Sequence, residues 1–206
     1  AIVVVGRPGG ESKEYVAGAN PECTTGNIMG LSEEEREIIK LAKDNFKKVI
    51  VLVNSVTTME IKELRDDPDI DAIMWIGYPG AYGFYAVADV LNGTVSPSAS
   101  LGDVFVSNNQ ANPSMQSFGN IPWANASEFE AAENVNSYLV EAEGIYQGYR
   151  YYETRYNDIV NGNEDAKTAK AGTWTKDDST IGTTNGTWNY TNEVTYPFGY
   201  GLSYTT

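Results

Sequence analysis

The chain has no histidine and a single cysteine, Cys23, among its 206 residues. That removes Ser-His-Asp and Cys-His nucleophilic mechanisms, thiolate or imidazole metal clusters, and any disulfide within the chain. Acid–base chemistry falls instead to Asp, Glu, Tyr, Lys or Arg-assisted groups. One carboxylate stands out by its place. The chain opens Ala1-Ile2-Val3-Val4-Val5-Gly6-Arg7-Pro8-Gly9-Gly10-Glu11, a β-branched run broken by a glycine-rich turn. Continuous apolar strands of this kind mark parallel sheets buried on both faces. Ligands of open α/β sheets bind beyond the carboxyl ends of the strands, which is where Glu11 falls. Taken alone, Glu11 reads equally as a solvated loop glutamate, and Gly9 and Gly10 as residues that merely allow positive φ. The glycine spacing is not a dinucleotide fingerprint, because that motif opens directly into a helix; here the next helix signal lies roughly twenty residues on.

Two aromatic strings carry further possibilities. In Trp75-Ile76-Gly77-Tyr78-Pro79-Gly80-Ala81-Tyr82-Gly83, rings and glycines follow a strand. Such rings suit stacking on the C–H face of a sugar, and equally suit a core Trp75 with a partly buried loop Tyr78. In Gly144 to Tyr156, five tyrosines suggest a carbohydrate or partner surface, or a strand packed on a neighbouring domain; the second reading is preferred. Ser32-Glu33-Glu34-Glu35-Arg36-Glu37 is a helix start whose acids complement the dipole, not a metal site.

The elements that must position these residues follow from periodicity. A strand covers Ile2 to Val5. Ser32 caps a helix with Glu35 three residues on, a capping box, and Ile38, Ile39, Ala42 and Phe46 repeat at helical spacing. A second strand spans Val49 to Val53. Thr57 or Thr58 is expected to cap a short helix holding Met59 and Leu64, stopped at Asp67-Pro68. Ala72 to Ile76 reads as a third strand, Phe84, Val87, Ala88 and Leu91 as one helix face, and Asp103 to Val106 as a further strand. The order βαβαβαβ predicts a parallel sheet with helices on both faces. This βαβ core occupies 1–107. The rest, 108–206, is an irregular aromatic and Gly-rich extension. An edge strand is expected near 144–152, from alternation of small or polar with aromatic residues, and a polar surface insertion near 161–195.

Composition bounds the partners. A net charge of -14 argues against nucleic acid and against anionic membrane surfaces. No apolar run is long enough to span a bilayer. No signal peptide is present, and a start inside a strand points to a piece of something larger, so the compartment, extracellular or cytoplasmic, is left open.

Five strings in order then carry a resemblance: "IVVVGRPGGE", "GLSEEEREIIKLAKDNFKKVIVLVNS", "DAIMWIGYPGAYGFYAVADVLNGTVSPSASLGDVF", "EGIYQGYRYYETRY" and "YPFGYGLSYT". Together they resemble the C-terminal α/β sandwich domain of glycoside hydrolase family 3, the β-glucosidase and β-xylosidase family. The resemblance implies a single, partial, flavodoxin-like doubly wound domain, mostly parallel and truncated at its N-terminal side. It also implies a retaining mechanism, with an aspartate nucleophile in a separate (β/α)₈ barrel and a glutamate acid/base in a turn reading roughly R-x-x-G-E-G-x-D. Arg7, Gly10 and Glu11 match that turn. Ser12 stands where the next glycine is usual, and the following acid falls on Glu14, which makes Glu14 the rival acid. A fibronectin type III-like module is the expected follower of the closing string.

On this reading the chain supplies Glu11 as general acid/base to an enzyme hydrolysing β-linked glucosides or xylosides. Arg7, Asn54 and Tyr78, at strand ends, line the sugar site. No cofactor or metal is called for, and the chain by itself is expected to be inactive. The alternative is a non-catalytic carbohydrate-binding or scaffold domain flanking the barrel.

Overall fold

The computed structural model describes residues 1–7, 9, 29–116, 121–122, 137–138, 141, 143–163, 165–168 and 188–205. In chain order its elements are β1 (Ile2–Gly6), α1 (Glu33–Asn45), β2 (Ile50–Asn54), α2 (Lys62–Arg65), β3 (Ala72–Trp75), α3 (Gly80–Leu91) and β4 (Phe105–Val106). A 3₁₀ turn (Asn109–Ala111) follows, then α4 (Pro113–Gln116), β5 (Ile121–Pro122), β6 (Ser137–Tyr138), α5 (Tyr149–Val160), α6 (Asp165–Thr168), α7 (Tyr190–Glu193) and β7 (Val194–Tyr196). The chain forms two compact units, one of residues 1–107 with 191–206 and one of residues 108–190.

The first unit is an α/β unit built on a parallel sheet of order β1-β2-β3, with Gly6 opposite Asn54 and Val53 opposite Trp75. The central strand is apolar because both its faces are covered: Val51, Leu52 and Val53 are all buried. β1 departs from the expectation of two covered faces. Val3 and Val5 are buried, whereas Ile2 is 56% and Val4 55% exposed. The strand order explains this, since β1 lies at an edge of the described sheet and alternate side chains point to opposite faces. Val3 and Val5 pack into one core with Val51, Val53, Ile39, Ala42, Met59, Ile61 and Leu64. Each fully buried side chain of this size contributes about 1.5–3 kcal/mol.

α1 starts as its sequence requires. The Ser32 hydroxyl accepts the Glu35 N–H at 3.1 Å, and the Glu35 carboxylate accepts the Ser32 N–H at 2.9 Å. Its buried face is narrower than the periodicity suggests: Ile39 and Ala42 are buried, while Ile38 and Phe46 are exposed. α2 begins only at Lys62, with no side-chain cap. Thr57 is instead held in a local turn whose Ser55 hydroxyl accepts its N–H at 3.2 Å. Met59 precedes the helix as a buried anchor, and the α2 residue Leu64 is buried as well.

Two further expectations are corrected. The strand at Asp103 to Val106 reduces to β4, which does not extend the parallel sheet. It pairs antiparallel with β7, Phe105 opposite Tyr196, and the Phe105 ring meets Trp75 edge-on at 5.6 Å. The segment 144–152 is not an edge strand. It is a turn at 143–145, with Gly144 at φ +56° and Gly148 at φ +53°, leading into the twelve-residue helix α5. Tyr149, Tyr152 and Tyr156 recur at three and four residues, which is helical spacing. That period prevails because it buries Tyr152 and lets Arg155 donate to the Tyr151 hydroxyl one turn back.

Within the second unit, Arg155 also donates to the Ala166 carbonyl at 2.7 Å and lies 4.8 Å over the Trp188 ring. The Tyr190 hydroxyl donates to the Glu153 carboxylate at 2.5 Å; burial first, then that carboxylate, pushes the phenol up. At the end of the expected polar insertion Trp188, Glu193 and Val194 are buried and Asn189, Thr191 and Asn192 are exposed, while 169–187 lie outside the described residues. No described helix is long and apolar enough to cross a membrane.

Candidate active site

Three parallel strands end together, so the turns leaving β1, β2 and β3 converge on one edge. The ladder continues past the strands: the Arg7 N–H donates to the Asn54 carbonyl at 3.1 Å and the Ile76 N–H to the Val53 carbonyl at 3.0 Å. Side chains then join the turns. Asn54 Nδ2 donates to the Gly77 carbonyl at 2.5 Å, holding the turn after β3 against the end of β2. The Tyr78 hydroxyl donates to the Arg7 carbonyl at 2.5 Å, and Trp75 Nε1 to the Ser55 carbonyl at 2.5 Å. Gly77 and Gly80 adopt φ of +56° and +62°, a region L side chains rarely occupy, which is what lets the chain turn sharply before α3.

Arg7, Asn54 and Tyr78, read from the sequence as strand-end residues, are therefore brought to one edge, but they do different things there. Tyr78 is 46% exposed and Asn54 is half-buried. Arg7 is only 8% exposed, and its guanidinium points into the protein. It donates to both Glu35 oxygens at 2.6 and 2.8 Å, to the Gly6 carbonyl at 2.6 Å and to the Gly30 carbonyl. That inward fork does not fit the sugar-lining role expected for Arg7. The guanidinium instead ties the end of β1 to the N-terminus of α1. Burial alone would raise the Glu35 carboxyl. The Arg7 hydrogen bond, the Ser32 N–H, the Arg7 charge and the Gly6 N–H outweigh it and hold Glu35 below the usual glutamate range.

Glu35 is the residue that sequence reasoning missed at this edge. Its capping-box signal was visible, but a second bond from a side chain twenty-eight positions away leaves no local trace. Glu11 and Glu14 lie outside the described residues. Among the described residues no group of three or more His, Cys, Asp or Glu is placed to hold a metal ion.

Comparison with known proteins agrees with this architecture. Residues 1–149 match the model of the glycosyl hydrolase family 3 C-terminal domain. A β-glucosidase A of Butyrivibrio fibrisolvens is 29% identical over 196 residues, 95% of this chain and 18% of that protein. A β-glucosidase of Ruminococcus albus is 28% identical over 205 residues, 100% of this chain and 16% of that protein. The solved structure of a β-glucosidase from Paenibacillus barengoltzii superposes with a TM-score of 0.63 at 29% identity, over 100% of this chain and 16% of that one. The chain thus spans under a fifth of the length of these relatives.

Proposed function

The chain belongs to glycosyl hydrolase family 3 through its C-terminal domain, and on that premise we propose that it is one part of a retaining β-glycosidase acting on β-linked glucosides or xylosides. The observation that carries this reading is the family match over 1–149 taken with the convergence of three strand-end turns on one edge. In this reading Glu11, four residues beyond Arg7, is the general acid/base, with Glu14 as its rival. Asn54 and the exposed ring of Tyr78 border the sugar, and Arg7 holds the turn from behind. A doubly wound arrangement, with helices on both sheet faces, belongs to the same reading.

Retention requires a second carboxyl about 5–5.5 Å from the first, acting as nucleophile. We assign it to a (β/α)₈ barrel elsewhere in the parent protein, with a fibronectin type III-like module following this domain. The acid must stay protonated near neutral pH, which desolvation by the barrel would achieve by raising its pKa.

The deciding experiment compares Glu11→Gln and Glu14→Gln in the full-length parent on two substrates. A disaccharide with a basic leaving oxygen needs the acid; an activated aryl glycoside departs with less help. Glu11→Gln is expected to lower disaccharide turnover by ~100-fold or more, within the range for general acid catalysis, and to spare glycosylation by the aryl substrate. Azide should restore turnover by attacking without a base. The same pattern from Glu14→Gln alone reassigns the acid. If neither variant is impaired, the domain is a carbohydrate-binding or scaffold module beside the barrel.

A further inference from the structure

We propose that Tyr78 is a positioning residue for the turn that leaves β1, acting through its hydroxyl, and that residue 9 is glycine because that hydroxyl occupies the space a side chain would need. The catalytic consequence rests on the glycosidase reading above; the contact itself does not.

The Arg7 N–H faces Asn54 as the last rung of the ladder. Its carbonyl accepts the Tyr78 hydroxyl. The Arg7 side chain is anchored separately by Glu35 and Gly30. Residue 7 is therefore held at N–H, carbonyl and guanidinium by β2, the turn after β3 and the start of α1. Tyr78 is itself a fixed donor. The Gly77 carbonyl beside it is held by Asn54, and Pro79 after it is the N-cap of α3.

Gly9 supplies independent support. Its φ lies outside the left-handed region, so conformational freedom is not why it is glycine. A Cβ there would sit 2.9 Å from the Tyr78 hydroxyl oxygen and 3.0 Å from Val56 Cγ2. Contacts that short force something to move. The hydroxyl cannot swing away without releasing the Arg7 carbonyl, so the two roles of Tyr78 are coupled. Ring and hydroxyl are also separable: the ring is open to solvent and free to meet a ligand, while the hydroxyl is committed to the backbone.

Tyr78→Phe, Gly9→Ala and the double variant test this in the full-length parent. Tyr78→Phe keeps the ring and deletes the hydroxyl. It is expected to lower kcat on a disaccharide by ~10-fold, since small misplacements of reacting groups cost up to ~100-fold, with KM within about twofold. Amide hydrogen exchange in the peptide covering residues 2–9 should quicken. Gly9→Ala should do more damage alone than when added to Tyr78→Phe, because the missing hydroxyl leaves room for the new methyl; that rescue marks a direct contact. Raised KM with unchanged kcat in Tyr78→Phe would make the hydroxyl a sugar contact and overturn the proposal, as would strictly multiplicative effects with unaltered exchange. Should Glu11→Gln and Glu14→Gln both leave hydrolysis intact, the glycosidase roles fall; the exchange and rescue measurements still decide the Tyr78 contact.

Discussion

Arg7 and Glu35 show how one ion pair can join two elements. The guanidinium is buried, and the carboxylate takes its fork bidentately at 2.6 and 2.8 Å while also accepting the Ser32 N–H. A planar fork is what this geometry needs, so lysine is no substitute. Truncating Arg7 to alanine would leave the Glu35 charge partly desolvated and remove a donor from the Gly6 and Gly30 carbonyls. The expected cost is about 3 kcal/mol, at the lower end for a broken buried pair because Glu35 keeps some solvent contact. The pair also predicts a pH dependence. The folded-state pKa of Glu35 is lowered, so its contribution is complete above the unfolded value of about 4.3 and fades as pH falls through the lower folded value. Glu35→Gln should therefore lower the urea midpoint near neutrality and flatten its decline as pH falls below the ordinary glutamate range. An unchanged acid slope would mean that another carboxylate governs it.

At the scale of elements, α1 carries the clearest prediction because two devices share Glu35. Ser32→Ala should cost about 1 kcal/mol, the usual loss of an N-cap. Glu35→Ala should cost more, since it removes the capping box and the Arg7 partner together. Ser32→Ala removes the bond from the Glu35 N–H and Glu35→Ala the bond from the Ser32 N–H, and because the two belong to one reciprocal network the changes should not add; summing within about 0.3 kcal/mol in a double-mutant cycle would argue against a shared cap. This helix start was legible in the sequence because the box is a four-residue signal, from Ser32 to Glu35. The three strands were legible for a similar reason, as short β-branched runs closed by turn residues. What could not be read is what local signals do not encode. Residues 144–152 alternate well enough to suggest a strand, and only the tertiary burial of Tyr152 selects the helical period. The partner of β4 lies some ninety residues along the chain, so no local pattern foretold an antiparallel pairing with β7. Asn54 closes β2 and Tyr78 lies in the turn after β3, the strand-end positions that the β-branched runs before them suggest. The inward turn of the Arg7 guanidinium depended on Glu35, which only the fold brings near.

For the molecule as a whole, the distribution of apolar surface is the main physical fact. One face of β1 is buried against α1, and the other leaves Ile2 and Val4 more than half exposed. α3 is apolar along its length yet has no buried residue, and Tyr82 is 83% exposed. Contiguous exposed apolar patches mark interaction surfaces or aggregation hazards rather than ordinary solvent faces. The 206-residue chain is accordingly expected to bind a hydrophobic dye such as ANS, and the full-length parent to bind much less per mole; equal binding would mean that these faces stay open to solvent in the parent. Catalysis should divide in the same way. The proposed acid belongs to this chain and the proposed nucleophile to the barrel, and neither carboxyl alone can carry out a double displacement. The chain alone is therefore expected to release no nitrophenol from an aryl β-glucoside above the buffer rate, even with azide present, because azide replaces the base and not the nucleophile. Turnover by the pure chain that Glu11→Gln abolishes would place both carboxyls within these 206 residues and overturn the division of the site between two domains.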